Sequence, residues 1–300
     1  MRTTLLTVLC CVCTSLSLGP NPVFADDHPV TMWKLQGQNN RIFLLGSVHL
    51  LRQSDYPLPS VINDAYDQAE TLIMEVDMDD DADPLQMQEL ILEYAMITDG
   101  ETLTDKIGAQ AYAKAAALAD QLELPLAMLE SSQPWFAAMT VEILLLTRIG
   151  FDPSNGVESH FMSKAQTDGK EILGLETARQ QIELMAGLSP AAQRDMLLQV
   201  LAEGVEMQQS MDDVMTAWRH GDTRYMRDSM LSGMQESREL YQTLVADRNN
   251  DWVKQINALL VDDVDYLIIV GALHLIGPDG VPEKLKNHGV PVEQMHQRGN

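Results

Sequence analysis

The chain has 300 residues, with 44 acidic and 20 basic side chains and a formal net charge of −24. A surface with this excess of negative charge repels phosphate backbones and anionic lipid headgroups, which excludes nucleic-acid binding. All three cysteines lie at or before Cys13, so the rest of the chain has no thiol for a disulfide, a cysteine nucleophile or a thiolate metal site.

The N-terminus has the pattern of a secretory signal peptide. Arg2 gives a positive start, an apolar run follows from Leu5 to Leu18, and Val23-Phe24-Ala25 offers a cleavage position. We therefore predict that residues 1–25 are a signal peptide, that 26–300 form one α/β domain, and that the protein is exported to the periplasm or the extracellular space. A short membrane anchor is the alternative interpretation; after cleavage we predict no stable membrane span.

Short aliphatic runs along the chain have the length and composition of strands that are buried on both faces. These runs are Arg41–Leu45, Thr71–Met74, Leu126–Leu129, Glu171–Leu175 and Tyr266–Val270. We expect Trp33–Leu35 to pair with the first run as a hairpin, and Val290–Met295 to form a final strand.

The segments between these runs have the apolar spacing of helices, as in Ser60–Ala69, Ala109–Gln121 and Gln133–Arg148. Ser189 followed by Pro190 is a good helix start, and 189–256 is predicted to be a helical cap that is broken near Gly221-Asp222. Its methionines either fill the core or line a groove that holds a peptide. The alternation of strands and helices predicts an α/β fold with a central, mostly parallel sheet flanked by helices, and a helical insertion before the last core strands.

Two of the predicted strands end in the same way. Gly46-Ser47-Val48-His49 follows the first aliphatic run and Gly271-Ala272-Leu273-His274 follows the last. Glycine permits a sharp turn and a close backbone approach. Ligands of parallel sheets gather beyond the carboxyl ends of the strands, so we expect the two histidines to share a pocket there.

Carboxylates also follow the predicted strands, because Glu75 ends the second run and Glu176 the fourth. Two histidines and a glutamate are ligands that suit a divalent metal ion such as zinc, manganese or cobalt. We predict that His49, Glu75 and His274 bind such an ion, which would lower the pKa of a bound water. From the residues alone, Arg248 is interpreted as part of a helix cap, and contact with an oxyanion is its alternative role.

The quoted motifs resemble those of the TraB/PrgY/GumN family, which includes the Tiki proteases, over about Met32 to Met295. The resembling segments are Leu44–Leu51, Leu72–Asp77, Pro134-Trp135-Phe136, Gly156–Phe161, Gly174–Thr177, Ala217–Asp222, Arg248–Trp252 and Val270–Gly280. The resemblance implies an active site of two Gly-x-x-His motifs, a glutamate and an arginine. These fall on His49, Glu75, Arg248 and His274, and we add Asn249 and Glu176 as substrate-binding residues.

The resemblance also implies a fold like that of erythromycin esterases and a haem-binding ChaN-like group, of which some members need no metal. Tiki members are metal-dependent proteases that favour manganese or cobalt. The chain departs from the family at one visible position: members often carry aspartate after Gly-Val, and here Glu158 keeps the acid with a longer side chain.

The resulting hypothesis is an exported, metal-dependent hydrolase, a peptidase by resemblance, that acts on a peptide or a small molecule. The first alternative is a metal-independent, esterase-like hydrolase in which His49 is the general base and Glu75 orients it. The second alternative is a binding protein without turnover for a secreted peptide or another small molecule. A serine triad is disfavoured because the chain has no Gly-x-Ser-x-Gly motif.

Overall fold

A computed structural model describes residues 27–76, 84–204, 206–231, 234 and 237–299. The predicted signal peptide, 1–25, lies outside the described residues. Within these residues six strands form one sheet: β1 (His28–Gln36), β2 (Arg41–Ser47), β3 (Thr71–Val76), β4 (Glu171–Glu176), β5 (Tyr266–Gly271) and β6 (Val292–Gln297). Their spatial order is β4-β3-β5-β2-β1-β6.

The four strands β4, β3, β5 and β2 run parallel, while β1 pairs antiparallel with both β2 and β6. The predicted α/β fold with a mostly parallel central sheet is therefore confirmed. The hairpin is confirmed as well, since Trp33 pairs with Leu44 and Leu35 with Ile42. The interior strands are aliphatic because helices cover both faces, and Ile42, Leu44 and Leu267 are fully buried.

Helices flank the sheet and fill the long connections. They are α1 (Ser60–Gln68), α2 (Pro84–Leu90), α3 (Leu103–Ile107), α4 (Ala109–Gln121), α5 (Pro134–Arg148), α6 (Val157–Asp168), α7 (Ala178–Ala186), α8 (Pro190–Glu203), α9 (Met207–Arg219), α10 (Thr223–Met226), α11 (Arg238–Tyr241), α12 (Asp247–Leu259) and α13 (Val281–Asn287). Short 3-10 turns are Gln53–Asp55, Leu126–Leu129, Pro153–Asn155 and Ala272–Leu275, and π-type turns are Ile91–Ala95, Arg227–Leu231 and Gln242–Ala246. Among the described residues, no helix has the length and apolar character needed to cross a membrane.

The helical insertion before the last core strands is confirmed between β4 and β5. Ser189 caps α8 by accepting the backbone N–H of Ala192, and Pro190 is its first residue. The predicted break falls at Gly221, whose φ of +59° ends α9, and Asp222 then caps α10. The methionines of this region fill the core: Met215 is buried, and Met207 and Met211 are partly buried against it.

The strand predicted at Leu126–Leu129 is wrong, because this segment is a single 3-10 turn. A four-residue aliphatic run is compatible with either a strand or a buried helical turn. Leu126 packs with α3, α4, α5 and α8 in a second apolar core, while Met128 is 78% exposed. No described strand lies beside the segment, so its backbone has no neighbouring strand with which to form β-sheet hydrogen bonds.

Candidate functional site

The parallel strands bring their carboxyl ends to one edge of the sheet, and the motif residues lie there. Ser47 pairs with Gly271 and Val76 with Glu176, so β2, β5, β3 and β4 end in register. His49 follows β2 by two residues, and His274 lies in the 3-10 turn after β5.

The two histidine rings and Glu75 surround Gly271. A Cβ atom at Gly271 would lie 3.2 Å from Glu75 Oε1 and 3.7 Å from both His49 Nε2 and His274 Cδ2. The absence of a side chain at this position lets the three functional groups approach one another. The structure therefore brings the two motifs, which are far apart in the chain, together around Gly271.

Arg248, in the first turn of α12, lies at the centre of a buried charge network. Its Nη2 donates to Glu75 Oε2 at 2.8 Å and to Glu176 Oε2 at 2.9 Å, and its Nε donates to Glu176 Oε1 at 3.0 Å. The side chains of all three residues are only 11–12% exposed. The Trp252 indole donates to Glu176 at 2.9 Å and lies under the guanidinium, 4.7 Å from its central carbon.

All five N–H groups of Arg248 are engaged inside the protein. Besides the carboxylates, Nη1 donates to the Leu244 carbonyl at 3.2 Å and lies 3.1 Å from His274 Nε2. A guanidinium has five N–H donors, one on Nε and two on each terminal nitrogen. Arg248 in this arrangement therefore acts on its surroundings through its charge and has no N–H left for a substrate oxygen.

Glu75 is ionised and accepts three hydrogen bonds. Its Oε1 accepts the Gly271 backbone N–H at 2.7 Å, and its Oε2 accepts from Gln181 at 2.9 Å as well as from Arg248. Burial raises the pKa of this carboxyl, whereas His274 and Arg248 lower it, and the net pKa is about 2. At pH 7 the positive charge comes from Arg248 and from the protonated His49 ring, since His274 is neutral.

His274 is held as a neutral acceptor. Its Nδ1 lies 2.7 Å from Asn249 Oδ1. The Asn249 amide nitrogen donates to the backbone carbonyls of His274 and Asp279, so the amide oxygen must face the ring. The ring therefore carries its proton on Nδ1, and Nε2 accepts from Arg248. Burial lowers the pKa of His274 to about 4.

Asn249 and Glu176, the two residues assigned to substrate binding, support other side chains of the site. Asn249 is fully buried and uses its amide on His274 and on two backbone carbonyls. Glu176 accepts from Arg248 and Trp252. Both residues therefore contact other side chains of the site, Asn249 fully buried and Glu176 12% exposed.

His49 differs from His274 in partner, charge and exposure. Its Nδ1 lies 2.8 Å from Glu158 Oε1, and its side chain is 63% exposed. The Glu158 carboxylate raises the pKa of His49 to about 9. Glu158, rather than Glu75, is thus the acid that contacts the His49 ring. Among the described residues, His49 Nε2 has no hydrogen-bond partner, and this nitrogen faces Gly271 and Glu75.

The predicted metal ligands do not fit an ion in this arrangement. His274 donates through Nδ1, and its remaining lone pair, on Nε2, already faces an N–H of Arg248. The guanidinium also supplies the positive charge that the Glu75 carboxylate requires. Among the described residues, no group of three or more His, Cys, Asp or Glu side chains is placed to hold a metal ion. A metal would have to displace Arg248 from His274 and Glu75.

Sequence reasoning missed Gln181 and Trp252 as members of the site and left Glu158 without a role. Gln181 and Trp252 lie on helices whose relation to the sheet edge is set by tertiary packing. Glu158 carried a usable signal, because an acid follows Gly156-Val157; the structure places it in the first turn of α6, where a negative charge is favourable.

Comparisons with known proteins agree with these motifs. The family model of the TraB/PrgY/gumN family matches residues 31–294. Two relatives, each described as uncharacterized protein YbaP, come from Escherichia coli K12 and Shigella flexneri. Each is 23% identical over 261 residues, which is 83% of this chain and 89% of the relative. No solved structure matches the chain.

Proposed function

Because the chain belongs to the TraB/PrgY/GumN family, and because its two motif histidines share one pocket, we propose that it is an exported hydrolase of peptide or ester bonds with His49 as its general base. Glu75, Arg248 and His274 form the fixed, charged wall of that pocket. The substrate is a peptide or a small molecule with a carbonyl at the bond that is cleaved.

The observation that carries the proposal is the free Nε2 of His49. Among the described residues, Arg248, Glu75 and His274 use their reactive atoms on one another, and Glu176 is bound to Arg248. His49 Nε2 alone of this set faces the pocket without a partner, while its Nδ1 is held by a carboxylate. A histidine held in this way at one nitrogen accepts and returns a proton at the other.

The reaction uses His49 twice. Nε2 takes a proton from a water molecule as the water oxygen bonds to the carbonyl carbon of the substrate. The protonated ring then gives that proton to the departing nitrogen or oxygen as the scissile bond breaks. The products are a carboxylic acid and an amine or alcohol, and the ring returns to its starting state.

Arg248 contributes a fixed positive charge in a poorly solvated part of the pocket. Glu75 and Glu176 carry two negative charges against this one, so the three side chains together are anionic and stabilise the positive charge that the His49 ring gains when it accepts a proton. The Arg248 guanidinium is held by Glu75 and Glu176 and touches His274, so its position is set before substrate arrives. Its effect is exerted through space, since its N–H groups are already used.

A metal-dependent peptidase with zinc, manganese or cobalt on His49, Glu75 and His274 is the second candidate. One observation favours it: both rings have Nδ1 against an oxygen acceptor, as metal-ligating histidines do. Glu75 Oε1 also lies 3.9 Å from His274 Nε2. This candidate requires Arg248 to move away from His274. The reaction described above does not depend on a metal ion.

The test compares the purified protein with its His49→Gln variant on a panel of fluorogenic peptides and p-nitrophenyl esters. We expect hydrolysis by the unchanged protein and a loss of about 10²–10⁴-fold in the variant, the usual contribution of a general base. The rate should survive EDTA. It should also rise with pH through the pKa of His49, because only the neutral ring accepts a proton and that pKa lies above 6.5.

The matched control is His288→Gln, which changes an exposed histidine after α13 and should leave the rate unchanged. Full activity in His49→Gln would contradict the proposal. Inactivation by EDTA, with recovery on adding manganese, cobalt or zinc, would replace it with the metal-dependent candidate. Binding of panel peptides without turnover, and equally by His49→Gln, would point to a binding protein.

A further inference from the structure

We propose that Glu158, assisted by Ser47, is a positioning residue that fixes the neutral form of the His49 ring with its proton on Nδ1 and its free lone pair on Nε2. This inference deepens the proposed function and rests on it for its catalytic meaning. It assigns a role to the position at which the chain carries glutamate after Gly-Val.

The backbone around Glu158 is docked directly on the His49 loop. The Val157 N–H donates to the Val48 carbonyl at 3.2 Å, which joins the start of α6 to the residue before His49. A Cβ atom at Gly156 would lie only 2.1 Å from the His49 carbonyl oxygen. Glycine is thus required for this approach, and the approach brings the first turn of α6 against the ring.

The Glu158 carboxylate is arranged to accept hydrogen bonds on one oxygen. Oε1 lies 2.8 Å from His49 Nδ1 and also accepts from the hydroxyl of Ser47, a residue that is 3% exposed at the end of β2. The pKa of Glu158 is lowered: burial raises it, but the His49 charge and the bonds from His49 and Ser47 outweigh burial. An ionised carboxylate only accepts, so Nδ1 of His49 must carry the proton.

Two consequences follow for the ring of His49. Nδ1–H donates to Glu158, so a flip of the imidazole ring would break this hydrogen bond. When the ring is neutral, above its pKa of about 9, Nε2 is left as the acceptor that faces Gly271 and Glu75. His274 is anchored in the same sense by the uncharged amide of Asn249, which keeps it neutral. The site therefore has one histidine, His49, that is held by a carboxylate and another, His274, that is held by an uncharged amide.

Glu158→Gln and Glu158→Leu separate the hydrogen bond from the charge. The glutamine carbonyl can still accept from Nδ1, whereas leucine removes the acceptor. The second carboxylate oxygen, Oε2, is buried and has no hydrogen-bond partner among the described residues, so replacing it with an amide nitrogen removes no existing bond. Ser47→Ala tests the assisting hydroxyl with a smaller change.

The experiment records ring ¹⁵N chemical shifts of His49 in protein labelled at its histidine side chains, from pH 6 to 10.5, beside kcat and KM. His49→Gln identifies the resonance. We expect the unchanged protein and Glu158→Gln to keep the Nδ1–H form as the ring becomes neutral, and Glu158→Leu to shift to Nε2–H. Once the His49 ring is neutral in both proteins, above its pKa of about 9 in the unchanged protein, kcat of Glu158→Leu should be at least tenfold lower, toward the roughly 10²–10⁴-fold limit of a lost general base, with KM nearly unchanged.

An unchanged Nδ1–H signal and an unchanged kcat in Glu158→Leu would overturn the inference and leave the proposed function standing if His49→Gln is inactive. Retained activity in His49→Gln would remove the proposed function, while the ¹⁵N shifts would still show whether Glu158 fixes the ring. Should Glu158→Leu not fold, the comparison of Glu158→Gln with Ser47→Ala decides. Retention of the Nδ1–H form in Glu158→Gln and its partial loss in Ser47→Ala support the inference, and Nε2–H in the unchanged protein overturns it.

Discussion

At the scale of single residues, the site depends on Arg248, a cation between two carboxylates that are almost fully removed from water. Glu75 and Glu176 each face its guanidinium, and both are 12% exposed. Removing one partner of a buried ion pair leaves an uncompensated charge, which costs far more than the pair contributes. Arg248 is therefore as much a structural residue as a functional one.

We expect Arg248→Ala to lower the free energy of unfolding by roughly 3–5 kcal/mol, measured by urea denaturation. Arg248→Lys keeps the charge but lacks the planar guanidinium that binds both carboxylates. It should therefore lower the free energy of unfolding by less than Arg248→Ala does. Lys254→Ala is the control, since the Lys254–Asp251 pair is exposed and its loss should cost less than about 1 kcal/mol. A change below 1 kcal/mol in Arg248→Ala would contradict this view of the network.

The sequence indicated which charged residues meet, but not how they share their bonds. The Gly-x-x-His spacing placed His49 and His274 just beyond strand ends. Glu75 was predicted for the same pocket because it also lies at the end of a predicted strand. Whether a carboxylate faces a metal, a histidine or an arginine depends on side-chain directions that are fixed only when α6 and α12 pack on the sheet. For that reason the pairings of Glu75 with Arg248 and of Glu158 with His49 were not predictable.

At the scale of elements, the two ends of α6 make a matched pair of glycines. Gly156 precedes the helix with φ −56°, which alanine tolerates, but its added Cβ would clash with the His49 carbonyl. Gly169 ends the helix with φ +70° and has nothing within 4 Å of an added Cβ. The first glycine is needed for space and the second for backbone conformation.

Gly156→Ala and Gly169→Ala should both be destabilising, the first by about 1–3 kcal/mol from forced displacement and the second by about 1–2 kcal/mol from the left-handed conformation. Only Gly156→Ala should change hydrolysis and the ¹⁵N shifts of His49, because it moves the start of α6 away from the ring. Urea midpoints, rates and shifts of the two variants provide the comparison. Equal activity in both would show that the docking of α6 on this loop is irrelevant to His49.

Most elements were predictable because their signals are local. Ala109–Gln121 and the start of α8 at Ser189-Pro190 match the prediction, and the parallel strands show as uninterrupted aliphatic runs. Leu126–Leu129 failed for the opposite reason. Its four apolar residues suit a strand or a helical turn equally, and the neighbours that decide, α5 and α8, come from later in the chain.

At the scale of the whole molecule, the buried groups of the site link folding to pH. The pKa of His274 is about 4 in the folded protein and 6.5 in the unfolded chain. Between these pH values the ring is protonated in the unfolded chain and neutral in the folded protein. Stability is therefore greatest above pH 6.5 and falls as pH decreases toward 4. Glu75, with a pKa of about 2, adds a further loss below about pH 4.5. His49 acts in the opposite sense, losing stability as pH rises toward 9, and its exposure makes this effect small.

We expect His274 to contribute roughly 3 kcal/mol of this loss between pH 6.5 and 4, since one pKa unit corresponds to about 1.4 kcal/mol. The physical reasons are burial, which disfavours the charged ring, and Arg248, whose N–H would face the Nε2–H of a protonated His274. Urea denaturation at several pH values checks it, with His274→Gln as the reference that lacks the titrating ring. Parallel stability curves for the two proteins would contradict the assignment.

The second apolar core, formed by α3, α4, α5 and α8, contains none of the groups that surround Gly271. We therefore expect that substitutions which repack this core change the free energy of unfolding while the residues that surround Gly271 keep their arrangement.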